Sequence, residues 1–488
     1  MTTGKRRPGR SPPRGGKTIV NLSAGEIAGA TRGTVLYGDP LCRIRGVSSD
    51  SRRIQGGDLF IPIQGPSFDG HRFIGEALAK GAAGSLAKRG WEEEARGADL
   101  SGKFLVGVDD PLRALGDLAQ FWRRRHPRVK VAAITGSNGK TTTKEMTARV
   151  LEGAFRVLQT EGNLNNWIGL PLMLLRLSPD HELAVLEMGM NLPGEIRRLK
   201  EIAEPQISLI TNIGRAHLEF LGSVEGIARA KGELWEGLGP EDWIAVNRDD
   251  PRVVDLAAAV HCRKKSFGIR ERAEVRAEEI AVEPGRGIRF SLLLNGERRP
   301  VRLNTFGEHN VYNALGAASL AAILGLSLEE TAAGLEKFRP YAGRGRILHL
   351  GRNLHLLDDT YNSNPDSLEA TLTAFAAMKE KNRGLVALGD MLELGPATAD
   401  FHVQAGRRVG EMACRHLFFL GDQRDRLAEG ARSAGMEEVR IHSLSAPEEV
   451  AENLEEVMEE GDWLLIKGSR RMRMERIVEE LVNRLGKA

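Results

Sequence analysis

The stretch 129–142, VKVAAITGSNGKTT, constrains this chain more than any other. A β-favouring apolar run (129–134) passes directly into a turn with glycines at Gly136 and Gly139, and a helical segment follows over about 140–151. A strand that opens into a glycine turn and then a helix turns backbone N–H groups and a positive helix end toward an anion. The loop Gly136, Ser137, Asn138, Gly139, Lys140, Thr141 and Thr142 therefore reads as a cradle for the phosphates of ATP. In such a loop Lys140 reaches the β- and γ-phosphates, and the Thr141 hydroxyl binds Mg²⁺. The spacing departs from the general GxxxxGK[ST] pattern, since Ile134 stands where the first glycine would be.

Further buried-strand runs at 183–187 (LAVLE) and 207–211 (ISLIT) alternate with helical segments, which predicts a mostly parallel sheet covered on both faces. Before them, the region 18–110 holds short strand-like runs such as 57–63 (GDLFIPI) and helical periodicity near 74–80. After the Gly/Arg-rich stretch YAGRGRI, strands are predicted near 354–358, 385–388, 417–420, 439–441 and 463–466, with helices between. That is a second doubly wound, Rossmann-like unit without a GxGxxG turn, so no dinucleotide is expected. The fold class is α/β in three domains: a small α/β N-terminal domain (18–110), a central P-loop parallel-sheet domain (111–340) and a C-terminal Rossmann-like domain (341–488). A length of 488 residues suits three cores of this size.

Composition bounds the function classes. A hydrophobic share of 41% and a charged share of 28% are those of a soluble globular chain, and no apolar run approaches the ~20 residues that span a bilayer. Cys42, Cys262 and Cys414 are odd in number and widely spaced, which argues against disulfides or a zinc site, and the cytoplasm is the expected compartment. The net charge of +3 is misleading, because Lys5, Arg6, Arg7, Arg10, Arg14 and Lys17 all fall in an acid-free tail, 1–17, and the rest of the chain is net acidic. That Gly/Pro-rich tail is expected to be disordered, either a solvated extension or a contact for nucleic acid or a membrane surface. The remainder offers no electrostatic reason to expect nucleic acid, and neither membrane insertion nor oligomer formation is expected.

Glu187 ends the 183–187 strand, and a carboxylate there is well placed to bind Mg²⁺ with Thr141 or simply to face solvent. By composition alone, His217 (GRAHLEFLG) reads as a hydrogen-bonded loop residue and Lys231 (ARAKGEL) as an exposed helix lysine.

Taken in order, TGSNGKTT, the EMG turn at Glu187, AHLE and AKGE resemble the Mur ligase family of bacterial peptidoglycan synthesis and the related folylpolyglutamate synthetases. The stretches 161–169 (EGNLNNWIG), 307–316 (GEHNVYNALG), 358–367 (DDTYNSNPDS), 389–395 (GDMLELG) and 467–470 (KGSR) resemble the branch that joins D-alanyl-D-alanine to UDP-N-acetylmuramoyl-tripeptide. The resemblance spans roughly residues 45–475 and implies a ligase that forms a peptide bond through an acyl phosphate made from ATP. It implies two Mg²⁺ ions, one on Thr141 and Glu187, the other on His217 and a CO₂-derived carbamate of Lys231. It also implies Asn310 against adenine, and Arg346 (or Arg344 in the doubled GRGR) with Asp359 reaching phosphate and ribose. For the substrate it implies Ser49, Asp50, Ser51 and Arg52 at the UDP-sugar, with Asn163, Asn165 and Asn166 along the sugar-peptide. Tyr361, Asn362, Asn364 and Lys467 would border the dipeptide.

The competing readings are a sibling amide ligase, a folylpolyglutamate synthetase and a regulatory P-loop switch. YNSNPDS, GDMLELG and the lack of a DNPR-type motif stand against the siblings, and the lack of an NKxD-like motif stands against the switch.

Overall fold

The computed structural model describes residues 20–65, 68–91, 100–283 and 286–486. The basic tail 1–17 lies outside the described residues. The chain forms two compact units: residues up to Thr135 with Glu152–Ser208, and Gly136–Leu151 with the chain from Leu209 onward. Among the described residues, no helix is long and apolar enough to cross a membrane.

In the first unit, a five-stranded sheet runs in the order Thr34–Tyr37, Phe104–Val108, Gly84–Lys88, Asp58–Phe60, Gly46–Ser48. Its first strand is antiparallel to Phe104–Val108 and the others are parallel. Phe60, Ile74, Ala77, Leu78 and Leu105 form a core against it. Helix Pro111–Arg124 begins where the Asp110 carboxylate caps the Leu112 N–H and Pro111 pre-sets the first turn. It buries Ala114, Leu115, Leu118, Ala119 and Trp122, the spacing of one apolar helix face. The same unit holds parallel strands Val157–Gln159, Leu183–Glu187 and Lys130–Thr135. Val131 to Ile134 and Leu183 to Leu186 are fully buried, as strands covered on both faces must be. Their register sets Glu187 opposite Ile134, two residues before the glycine turn.

In the second unit, helix Lys140–Leu151 packs against helix Glu308–Ile323, where Gly316 and a run of alanines permit close approach. Strands Trp243–Asn247, Arg263–Gly268 and Val275–Glu283 are parallel. The sheet then turns antiparallel through Gly287–Leu294 and Glu297–Leu303. The hairpin between those two strands is made by Asn295 and Gly296 at φ of 53° and 83°, the left-handed pair that a tight two-residue turn requires.

Beyond residue 345 a six-stranded sheet runs in the order Arg346–Leu350, Leu354–Asp359, Trp463–Lys467, Gly384–Gly389, His416–Leu420, Ile441–Leu444. All but the first strand are parallel to their neighbours. Alternate residues of one strand feed opposite cores: Val386 and Leu388 one side, Leu385 and Ala387 the other. The strand expected at 439–441 begins at Ile441 instead, because Glu438–Arg440 forms a 3₁₀ turn. Trp463–Lys467, the last strand in the chain, inserts in parallel between Leu354–Asp359 and Gly384–Gly389, so the carboxyl ends of the three strands lie side by side.

Candidate active site

Both loop glycines are required by their surroundings. Gly136 has φ of 148°, and a Cβ there would lie 1.9 Å from Thr211 Oγ1; Gly139 has φ of 79°, and its Cβ would meet Asn313 Oδ1 at 2.1 Å. The loop is held by the segment after residue 210. Ser137 N–H donates to Asn212 O (2.9 Å), and Asn138 N–H donates to Asn212 Oδ1 (3.0 Å). Asn138 O accepts from Thr211 Oγ1 (2.5 Å) and Asn212 Nδ2 (3.2 Å). Lys140 Nζ folds over the turn to donate to Gly136 O (2.8 Å) and Ser137 O (3.3 Å), so a cation spans the cradle. Thr141 and Thr142 lie half-buried on the first helical turn, whose backbone N–H groups have no partner within the helix.

Lys231 is not the exposed helix lysine that composition alone suggests. It lies on helix Val224–Gly232 at 1% exposure. Burial, with the positive charge of Lys140 added, holds its amine well below the usual lysine range. That shift favours the uncharged amine, the form that acts as a nucleophile. His217 takes a left-handed backbone with φ of 60° and sets Nδ1 2.7 Å from Glu393 Oε2. Two neighbouring contacts join the same segments. Arg215 pairs with Asp366 (backbone N–H to Oδ2 2.5 Å, Nε to Oδ1 2.7 Å), and Asn364 Nδ2 donates to Asn138 Oδ1 at 2.8 Å.

Asn310 is buried on helix Glu308–Ile323, donating to Phe306 O (2.7 Å) and Thr305 Oγ1 (3.1 Å) and accepting from Asn313 Nδ2 (2.9 Å). Beside it, burial pushes the His309 ring down to about 4. Asp359 and Lys467 meet at 2.5 Å at the carboxyl ends of their adjacent strands, and Thr371 Oγ1 donates to the same carboxylate oxygen at 2.8 Å. Burial raises the Asp359 carboxyl, but Lys467 more than offsets it, and the group rests below the usual carboxylate range. Lys467 also donates to Asn362 O (3.0 Å). The Tyr361 ring lies under the Arg344 guanidinium at 3.7 Å, with Arg470 at 5.4 Å. Arg346 is instead tied to Asp358 Oδ2 at 3.0 Å. Asn364 divides its amide between Asn138 and the cap of helix Pro365–Lys379, where its Oδ1 accepts from Ser367 N–H at 2.9 Å.

The remaining expected residues belong to the first unit. Asp50 caps the turn Ser51–Arg53 and receives Arg52 Nε at 2.9 Å; that hydrogen bond, opposed by partial burial, brings Asp50 down to about 2. Ser49 and Ser51 flank the pair, Ser51 buried and Ser49 half-buried. Asn163 is exposed, and its carbonyl accepts from Asn165 N–H at 2.8 Å. Asn166 Oδ1 accepts from Gly169 N–H (2.9 Å) at the start of helix Gly169–Leu174. Asn165 Nδ2 donates to Glu187 Oε1 at 2.8 Å, while Glu187 Oε2 is buried with no hydrogen-bond partner among the described residues. A buried carboxylate oxygen left open in this way fits a cation ligand. Among the described residues no cluster of three or more His, Cys, Asp or Glu forms a preassembled metal site. The open Oε2 of Glu187 is an oxygen donor of the kind that Mg²⁺ takes.

Sequence reasoning did not single out Thr211, Asn212, Asn313, Arg215, Asp366 or Glu393. The last two lie within SNPDS and GDMLELG, so the motif was visible and the residue's task was not.

Three family models match in order: "Mur ligase family, catalytic domain" over residues 43–123, "Mur ligase middle domain" over 134–321, and "Mur ligase, glutamate ligase domain" over 343–470. The UDP-N-acetylmuramoyl-tripeptide–D-alanyl-D-alanine ligase of Bacillus subtilis (strain 168) is 34% identical over 466 residues, covering 96% of this chain and 98% of the relative. A crystal structure of MurF from Acinetobacter baumannii superposes with a TM-score of 0.86 at 32% identity, covering 96% of this chain and all of that one. MurF of Thermotoga maritima in complex with ADP superposes with a TM-score of 0.77 at 27% identity, covering 90% and 98%.

Proposed function

Because this chain belongs to the Mur ligase family, we propose that it joins D-alanyl-D-alanine to UDP-N-acetylmuramoyl-tripeptide at the expense of ATP, yielding the pentapeptide precursor of peptidoglycan. The carrying observation is that relatives bearing this activity in their names share about a third of their residues with it over nearly its whole length. Residues 18–110 serve as the UDP-sugar domain, 111–340 as the ATP domain and 341–488 as the domain that completes the nucleotide site.

A carboxylate and an amine do not condense in water, because the carboxylate oxygen is a poor leaving group. The terminal carboxylate of the tripeptide therefore attacks the γ-phosphorus of ATP, ADP leaves, and an acyl phosphate forms. The dipeptide amine, having lost its proton, attacks the acyl carbon, and the tetrahedral intermediate expels phosphate. Such chemistry asks the protein for positioning and charge neutralisation rather than a covalent nucleophile. The loop 136–142 holds the phosphates, with the Lys140 ammonium stabilising the transferring group. Thr141 contributes a hydroxyl, Glu187 its open Oε2 and His217 a ring nitrogen as ligands for divalent ions. When bound there, Mg²⁺ would supply positive charge to offset that of the transferring phosphoryl group. The buried amine of Lys231, whose charged form is disfavoured, supports a carbamate: it adds to CO₂ with loss of a proton and becomes an anionic oxygen ligand. Asn310 faces the adenine and Asp359 the ribose. Arg346, or Arg344 two residues before it, takes the phosphate contact. Ser49, Asp50, Ser51 and Arg52 bind the UDP end, Asn163, Asn165 and Asn166 the sugar-peptide, and Tyr361, Asn362, Asn364 and Lys467 border the dipeptide.

Phosphate release with ATP and UDP-N-acetylmuramoyl-tripeptide tests this reading, with D-alanyl-D-alanine, a free diamino acid or glutamate added in turn. Release that requires D-alanyl-D-alanine is the expected result. Release driven by a free amino acid, or in the absence of any acceptor, overturns it.

A further inference from the structure

Glu393 and His217 lie 176 residues apart in the chain, yet their side chains meet at 2.7 Å. Both have left-handed backbones, φ of 64° for Glu393 and 60° for His217. A non-glycine residue in that region costs about 1 kcal/mol or more and persists only where the surroundings impose it. Here they do: Glu393 O accepts from Glu219 N–H at 3.1 Å, and Leu392 N–H donates to Ser469 Oγ at 2.9 Å. Two strained residues held face to face suggest a built contact rather than a chance surface pair.

From this geometry we infer that Glu393 is a positioning residue: it accepts the Nδ1 proton of His217, fixes the ring in one tautomer and leaves the Nε2 lone pair for a cation. An imidazole ligand commonly gives its second N–H to a carboxylate, which sets ring orientation and raises ligand basicity. The inference rests on the ligase reading for what His217 serves, and it adds a coupling. Glu393 follows strand Gly384–Gly389 of the last sheet, whereas His217 belongs to the segment that holds the phosphate loop. His217 is thus set for its task only when the 390–395 loop is docked on it. The Glu219 N–H bond to Glu393 O does not use the carboxylate, and Arg215–Asp366 and Asn138–Asn364 tie the neighbouring segment 364–366 independently, so removing the Glu393 carboxylate leaves the docking in place.

Full-length Glu393→Ala and Glu393→Gln variants test this, the second because a Gln Oε1 still accepts from Nδ1–H. Side-chain ¹⁵N spectra, with the His217 resonance assigned through His217→Asn, report the tautomer without substrate or metal. Wild type and Glu393→Gln are expected to show Nδ1–H with unprotonated Nε2, and Glu393→Ala a mixture. In turnover, Glu393→Ala is expected to lose about 10–100-fold in kcat and to need more Mg²⁺, with KM for ATP within about twofold; Glu393→Gln is expected to recover most of kcat. An unchanged His217 tautomer in Glu393→Ala overturns the inference, as does a glutamine variant as impaired as the alanine one. If the wild type shows no D-alanyl-D-alanine-dependent release, the ligase reading fails, and the tautomer result still decides the contact.

Discussion

Gly139→Ala is the sharpest probe of the phosphate loop, because its cost follows from two quantities in the structure. The residue has φ of 79°, and the added Cβ would lie 2.1 Å from Asn313 Oδ1. Placing an L-residue in a left-handed conformation costs about 1–2 kcal/mol, and forcing an extra carbon into a filled site about 1–3 kcal/mol. Asn313 cannot yield freely, since its Oδ1 accepts from Thr143 Oγ1 (3.2 Å) and its Nδ2 donates to Asn310 Oδ1 (2.9 Å). The loop gives way instead, and its phosphate-binding conformation is penalised by about 2–5 kcal/mol, a loss of about 30-fold to a few thousand-fold in nucleotide affinity. Calorimetric titration with ADP and Mg²⁺ measures this directly. Gly162→Ala is the control: φ there is 54°, but among the described residues nothing lies within 4 Å of the added carbon. It should cost about 1 kcal/mol of stability and leave affinity unchanged. An alanine at position 139 that binds ADP within threefold of wild type refutes the reasoning.

Lys140→Ala and Glu187→Ala should each abolish ligation while leaving the melting temperature within a few degrees of wild type; near-normal turnover in either removes that residue from the mechanism. Lys231→Ala should be inactive and partly rescued by small carboxylates in the buffer, which replace the carbamate; full activity without rescue rules the carbamate out. The His309 ring, lowered from 6.5 to about 4, sets a pH dependence of stability. Below pH 6.5 the unfolded chain gains a proton that the folded chain refuses until about 4, so this contribution is complete above 6.5 and lost as pH falls through that window. Melting curves of wild type and His309→Asn between pH 7.5 and 5 should therefore diverge in slope, and parallel slopes count against the assignment.

What sequence could determine here was local. Apolar strand, glycine turn and helix follow from neighbouring residues, and both strand 183–187 and helix 140–151 stand where the pattern puts them. Four of the five strands expected in the last sheet lie within about a residue of their positions for the same reason. The edge strand Arg346–Leu350 was not legible, since RILHL is short and only the turn 351–353 separates it from the next strand. The antiparallel extension after residue 275 was also missed, although Asn295-Gly296 announces its second hairpin.

The tertiary structure decided what depends on distant partners. A helix lysine is exposed or buried according to what packs over it, so only the fold buried Lys231 and lowered its amine from the usual lysine range. Arg344 and Arg346 differ by two positions in the same stretch, and the strand pairing that brings Asp358 beside Arg346 gives them different partners. Asn138 reaches Asn364 across 226 residues and His217 reaches Glu393 across 176. No local pattern encodes such pairs, because chain closure over those lengths is set by the packing of whole sheets.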